Sequence, residues 1–135
     1  MSMIVGRRSA AMLCTLQLQL FALPAFSADT RNLTGLPAYP NLSSAVMDGV
    51  FRTDTLGHWC RRFWSDTSDS IAVVEAWYRK ALLGSSEIDL AHDKTYKNIA
   101  GLSGVKLVLG IDYVVVYKTA GQAPTSIDLY RCSPA

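Results

Sequence analysis

The sequence predicts a small α+β domain: an antiparallel sheet of four or five strands, one long helix packed on one face, and one disulfide. Three observations support this fold class. Short segments in which apolar and polar residues alternate, separated by turn residues, are typical of β-strands. Residues 71–82 instead place apolar side chains every three or four positions, which is the spacing of one helix face. Cys60 and Cys132 are the two cysteines beyond the N-terminal segment, and such a pair predicts a disulfide in an exported protein.

The first 28 residues have the pattern of a cleavable signal peptide. Arg7 and Arg8 precede an apolar run that ends at Pro24, and small residues follow it as at a peptidase site. The run, which contains Cys14, is shorter than the roughly 20 residues of a membrane-spanning helix. The alternative is an uncleaved helix that anchors the chain in a membrane. We therefore expect a periplasmic or secreted protein that is not an integral membrane protein after cleavage.

Charge limits the classes of partner. The chain has 13 basic and 11 acidic residues, and removal of Arg7 and Arg8 with the signal peptide leaves 11 of each. A neutral domain offers no general electrostatic attraction for nucleic acid or for an anionic membrane. We expect another protein or a component of the cell envelope as partner, and no cofactor.

Two regions are predicted after the signal peptide: an extended N-terminal arm at residues 29–44 and a single domain at residues 45–135. Glycine and proline interrupt the arm. Residues 50–53 are interpreted as a strand, with one or two helical turns ending at Gly49 as the alternative. Residues 58–64 are predicted as a second strand, on which His58, Cys60, Arg62 and Trp64 would share one face.

The predicted helix follows a run of capping residues. Residues 65–70 are rich in serine, threonine and aspartate, which favour the first position of a helix. The apolar stripe consists of Ile71, Val74, Tyr78 and Leu82, and Gly84 lies where a glycine commonly ends a helix. Glu75 and Arg79 are spaced as a favourable pair on the exposed side.

The rest of the chain is predicted as a long loop at residues 85–104 and three strands at residues 105–109, 113–118 and 125–132. In the last strand Ile127 and Leu129 alternate with Asp128 and Tyr130, which predicts one solvated face. A disulfide from Cys60 to this strand would close a loop of about 70 residues, worth roughly 4 kcal/mol in the chain-entropy model.

The helical segment resembles that of a group of small exported bacterial domains whose helix reads D-S-x-x-x-V-x-x-W-Y-x-x-x-L. The matching residues are Asp69, Ser70, Val74, Trp77, Tyr78 and Leu82, and those domains often begin with a Tyr-Pro, as at Tyr39-Pro40. The resemblance covers only these two stretches. It implies an α+β fold and a bacterial source, and it carries no catalytic residue to this chain.

Several residue groups raise the question of catalysis or metal binding. His58 beside Cys60 could activate a thiol, unless Cys60 is in a disulfide. A zinc site could draw on His58, Cys60, His92 and either Asp93 or Cys132, but the close ligand pairs typical of zinc sites are missing from the sequence. The acids of the predicted loop are Glu87, Asp89 and Asp93, and acids clustered in a loop are usually solvated.

A mixed basic and aromatic stretch covers residues 61–64. Cations beside aromatic rings can stack bases or sugars, whereas the alternative is a strand whose arginines extend from the core into water. Loops on a rigid scaffold often carry function, so the contact surface is predicted at the loop and at these arginines. The predicted contact residues are His92, Asp93, Lys94, Tyr96, Arg61 and Arg62.

With no recognisable catalytic set, the sequence favours a non-enzymatic binding or accessory protein. One alternative is a small hydrolase-type enzyme that uses His58, His92 and nearby acids. The other is a structural envelope protein that assembles with copies of itself.

Overall fold

The computed structural model describes residues 32–52 and 57–134. The predicted signal peptide lies outside the described residues. The described chain forms one antiparallel sheet with one α-helix, in the following order: β1 (Ser44–Arg52), β2 (Trp59–Thr67), α1 (Ile71–Ala81), β3 (Ser86–Asp89), a short 3-10 helix (Leu90–His92), β4 (Leu102–Leu109), β5 (Asp112–Thr119) and β6 (Thr125–Ser133). The six strands are arranged in the order β1-β2-β6-β5-β4-β3.

The two cysteines lie opposite each other on neighbouring strands. Strands β2 and β6 pair without interruption from Trp59 opposite Ser133 to Thr67 opposite Thr125. Cys60 and Cys132 are partners in this register, with Cα atoms 4.0 Å apart, and their sulfur atoms form a disulfide. The predicted disulfide is therefore confirmed, and it joins two neighbouring strands through cysteines that are 72 residues apart in sequence.

One face of the sheet, the helix face, is covered by α1. Its buried side chains come from the helix, from β2 and from β4 to β6, and they include Val74, Tyr78, Phe63, Leu107, Val114 and Leu129. Because apolar side chains alternate along each strand, every second residue reaches this core. The predicted packing of a helix on one face is confirmed.

The helix is short rather than long, which corrects the prediction. It has 11 residues, and the Ser70 hydroxyl caps its start by accepting a hydrogen bond from the Val73 amide. At its end Leu82 leaves helical geometry (φ −111°, ψ 53°) while its side chain stays in the core. The chain then turns at Gly84, whose φ of +88° suits a residue without a Cβ atom.

The N-terminal arm is tied to the helix. The Tyr78 hydroxyl donates a hydrogen bond to the Pro37 carbonyl (3.0 Å) and accepts one from the Tyr39 amide (3.1 Å). The Tyr39 hydroxyl donates to Asp69 at the start of the helix. Leu36 and Tyr39 are buried in the helix-face core, so the arm closes one side of it.

The second face of the sheet, the opposite face, is also covered. Residues 85–104 do not form the predicted loop alone: β3 pairs with β4, and the 3-10 helix folds back so that Leu90 is buried. Leu90 packs with Val115, Tyr130 and the two cysteines. The prediction of a solvated face on the last strand is wrong, because these residues cover it.

Candidate functional site

Two arginines lie side by side on the helix face, beyond the residues that pack against α1. Arg61 on β2 and Arg131 on β6 are direct partners in the sheet register. Because residues that oppose each other in antiparallel strands point to the same face, both guanidinium groups extend from one surface. Arg61 is exposed, and 54% of the Arg131 side chain is exposed.

This pairing of like charges costs stability. Like charges directly opposite on neighbouring strands are destabilising. Arg131 has partial compensation, since its Nε lies 3.5 Å from a carboxylate oxygen of Asp112. Arg61 makes no ion pair with any side chain that the structure describes. An anion bound between Arg61 and Arg131 would reduce the repulsion between their guanidinium groups.

The two arginines line a groove of about 540 Å³, which we call the arginine groove. Trp59 lies two residues before Arg61 on the same face, and 52% of its surface is exposed. Ser133 lies opposite Trp59 on β6. The far wall of the groove is the turn of the arm at Leu33, Thr34 and Gly35.

Hydrogen bonds within the arm fix this wall. The Asn32 side chain accepts a hydrogen bond from the Thr34 amide (3.1 Å) and donates one to the Leu36 carbonyl (2.9 Å). The Thr34 hydroxyl also donates to Asn32 and accepts from the Leu36 amide. Gly35 completes the turn with a φ of +73°. The wall is therefore an ordered turn with Leu36 anchored in the core.

A second groove, which we call the apolar groove, adjoins the first. It has a volume of about 460 Å³ and shares Gly35 and Arg131 with the arginine groove. Most of its lining is apolar and comes from the arm, the end of α1 and the end of β4: Leu36, Pro37, Ala38, Ala81, Leu82 and Leu109. A polar and an apolar region thus meet at Arg131.

The opposite face carries a buried polar cluster of a different kind. Asp128 is only 3% exposed and accepts hydrogen bonds from Arg62 and from the hydroxyl groups of Tyr117 and Tyr130. Burial raises the pKa of the Asp128 carboxyl, and the nearby Arg62 guanidinium opposes that rise. Because its oxygens are engaged and shielded, this cluster is suited to holding the sheet together.

The predicted contact residues separate into two groups in the structure. Arg61 lines the arginine groove, whereas Arg62 points to the opposite face and pairs with Asp128 at 2.8 Å. Asp93 is buried, pairs with Lys106 at 3.2 Å and caps the turn that follows it by accepting from the Thr95 amide.

The other residues predicted from the 85–104 segment lie near Asp93. Tyr96 packs beside the cluster that contains Leu90, and burial raises the pKa of its hydroxyl. His92 and Lys94 are exposed. Asp93 and Tyr96 therefore anchor the segment over the opposite face, and His92 and Lys94 remain at its surface.

The groups considered for catalysis are dispersed. Glu87 pairs with Arg79 of the helix at 2.6 Å, and Asp89 caps the 3-10 helix by accepting from the Ala91 amide. His58 immediately precedes β2, and His92 is an exposed residue at the end of the 3-10 helix. The Cys60 sulfur is bonded to Cys132. Within the described residues, no three or more histidine, cysteine or acidic side chains are grouped so that they could hold a metal ion.

Sequence reasoning identified Arg61 but missed Trp59 and Arg131. The alternation of strand residues places Trp59 and Arg61 on one face, so that half of the site was accessible from the pattern of β2 alone. Arg131 joins them only through the register between β2 and β6, which the disulfide fixes.

Comparison with protein families, curated proteins and solved structures finds no significant match to this chain. Of the helices in the described part of the chain, none has the length and hydrophobicity to cross a membrane.

Proposed function

We propose that this chain is an exported, non-enzymatic binding protein that holds an anionic group of its ligand between Arg61 and Arg131. One observation carries the proposal: the two guanidinium groups oppose each other on neighbouring strands, within a groove, without enough acidic partners. Guanidinium groups bind carboxylates through paired hydrogen bonds, so a carboxylate is the anion that fits best. The exposed Trp59 ring offers an apolar surface beside it.

Export is supported by the signal-peptide pattern and by the disulfide. A disulfide persists in oxidising compartments such as the periplasm or the cell exterior. Cys60 and Cys132 are both buried, at 0% and 7% exposure, which protects the bond from soluble reductants.

Binding without catalysis is supported by the side chains of the grooves. Among the residues that the structure describes, no histidine lines either groove. The one carboxylate is Asp112, which accepts a hydrogen bond from the Cys132 amide at 2.8 Å and lies beside Arg131. These two contacts hold the Asp112 carboxylate in place beside Arg131.

Calorimetric titration with butanoate tests the proposal. We expect binding by the wild type, and a loss of at least about tenfold in affinity in Arg61→Gln, since one charge-assisted hydrogen bond contributes roughly 1.5–3 kcal/mol. Arg79→Gln is the matched control, because Arg79 is an exposed arginine already paired with Glu75 and Glu87. Equal losses in Arg61→Gln and Arg79→Gln would count against a specific site.

A further inference from the structure

We propose that the ligand is amphipathic: an aliphatic carboxylate whose head group lies between Arg61 and Arg131 and whose chain lies in the apolar groove. This inference rests on the proposed function and specifies the rest of the ligand. It has three requirements. The two grooves must be continuous, the apolar groove must suit an aliphatic chain, and the carboxylate must prefer the arginine groove.

The grooves meet at Gly35 and Arg131. Both residues line both grooves. A Cβ atom built on Gly35 has no other atom within 4 Å, so the space beside this residue is open. A ligand chain can therefore pass the turn of the arm from one groove into the other.

The apolar groove is suited to an aliphatic chain. The end of α1 contributes Ala81 and Leu82, and Leu109 at the end of β4 is 42% exposed beside them. Burial of apolar surface from water is favourable in proportion to its area. The volume of about 460 Å³ falls in the range of roughly 300–1,000 Å³ that is typical of small-molecule sites.

Charge orients the ligand. Asp112 lines the apolar groove, and Arg131 lies between Asp112 and Arg61. A carboxylate placed in the apolar groove would lie near the Asp112 carboxylate, whereas one in the arginine groove meets two guanidinium groups. Repulsion by Asp112 and attraction by the two arginines therefore both favour a head group in the arginine groove, beside Trp59.

The strands beneath the grooves favour a small molecule over a peptide. Extended peptides commonly bind by adding a strand to an open sheet edge. Strand β2 pairs with β1 and β6 along the arginine groove. The pairing of β6 with β5 ends at Tyr130, and beyond it the Cys132 amide donates to the Asp112 carboxylate (2.8 Å). Recognition in the grooves must therefore come from side chains and from the arm.

Calorimetric titration of the full chain with butanoate and with octanoate, below its micelle-forming concentration, tests this inference. Each buried methylene group should tighten binding about fourfold. We expect octanoate to bind at least about tenfold more tightly than butanoate. Ala81→Phe, which fills the apolar groove, should remove this difference between octanoate and butanoate. Ala76→Phe is the control, since Ala76 is an exposed residue of the same helix. Leu109→Ser is a second variant of the apolar groove, and it should disturb folding less than Ala81→Phe because Leu109 is exposed at the end of β4.

The outcomes distinguish this inference from the proposed function. Equal binding of butanoate and octanoate, lost in Arg61→Gln, would overturn the amphipathic ligand and leave the anion site standing. Octanoate binding that survives Arg61→Gln unchanged would overturn both, because the head group would not be held by the arginines. Absence of binding by either carboxylate would also overturn both.

Discussion

Replacement of Arg61 by glutamate should stabilise the protein. In the antiparallel sheet Arg61 and Arg131 are direct partners next to the narrow Cys60–Cys132 pair, so their Cα atoms form a wide pair about 5.5 Å apart. Two unit charges about 5.5 Å apart interact by about 0.8 kcal/mol in water, and this value is an upper limit because the guanidinium groups lie at the ends of long side chains. Arg61→Glu converts repulsion into attraction, and after screening at an exposed site we expect a gain of about 1 kcal/mol.

Urea denaturation at low and high salt measures this gain. The gain should shrink at high ionic strength, because the Debye length falls from about 10 Å at 0.1 M salt to about 3 Å at 1 M. Lys118→Glu is the matched control, since Lys118 is an exposed strand residue opposite Ser103 and makes the same change in net charge. A loss of stability in Arg61→Glu relative to that control, or a gain that salt does not reduce, would refute the electrostatic reasoning.

Three further predictions concern the scaffold. Arg62→Met leaves Asp128 buried without its ion pair, and should cost about 3 kcal/mol at neutral pH. Because the raised pKa of Asp128 lies above its unfolded value, this loss should diminish in urea denaturation as the pH falls towards that unfolded value. Gly104→Ala should cost more than about 2 kcal/mol of unfolding free energy, since φ is +148° and a Cβ would overlap a backbone carbonyl of β5. Gly121→Ala, with φ +81° and open space around its Cβ, is the control and should cost less. Burial raises the pKa of Tyr39 from 10.0 to about 12, so the folded state keeps this proton while the unfolded chain loses it. The free energy of unfolding measured in urea should therefore fall as the pH rises from 10 towards 12, and Tyr39→Phe should show a smaller fall; an equal fall in Tyr39→Phe would contradict this.

Much of the scaffold was predictable because its signals are local. The helix spacing from Ile71 to Leu82 and the capping residue Ser70 lie within one segment. Each strand predicted from the sequence occurs as a strand, with longer bounds at β1, β2 and β4. The length of the helix was less predictable, because core packing of Leu82 and the return of the chain to β3 end it early.

Coverage of the opposite face could not be read from local patterns. Strand β3 has four residues, too few to show alternation, and only its pairing with β4 defines it. Asp128 has the sequence pattern of a solvated residue, yet Arg62 and two tyrosines make its burial possible. Such compensation depends on residues far apart in sequence.

The candidate site shows the same limit. Arg61 was assigned from its neighbours, but a shift of one residue in register would move Arg131 to the other face. The site therefore depends on the nine-residue register between β2 and β6 as well as on the identity of the two arginines. Likewise the arm that forms the groove wall is tied to the helix by the hydrogen bond from the Tyr78 hydroxyl to the Pro37 carbonyl.

An NMR titration of the full chain with octanoate tests the central claim most directly. The claim is that the joined grooves on the helix face form the binding surface, with the anion held between Arg61 and Arg131. We predict saturable shifts of the Trp59 indole, of both arginine side chains and of the Leu109 methyl groups. Shifts confined to residues 90–101 on the opposite face, or no saturable shift in any residue, would contradict the account.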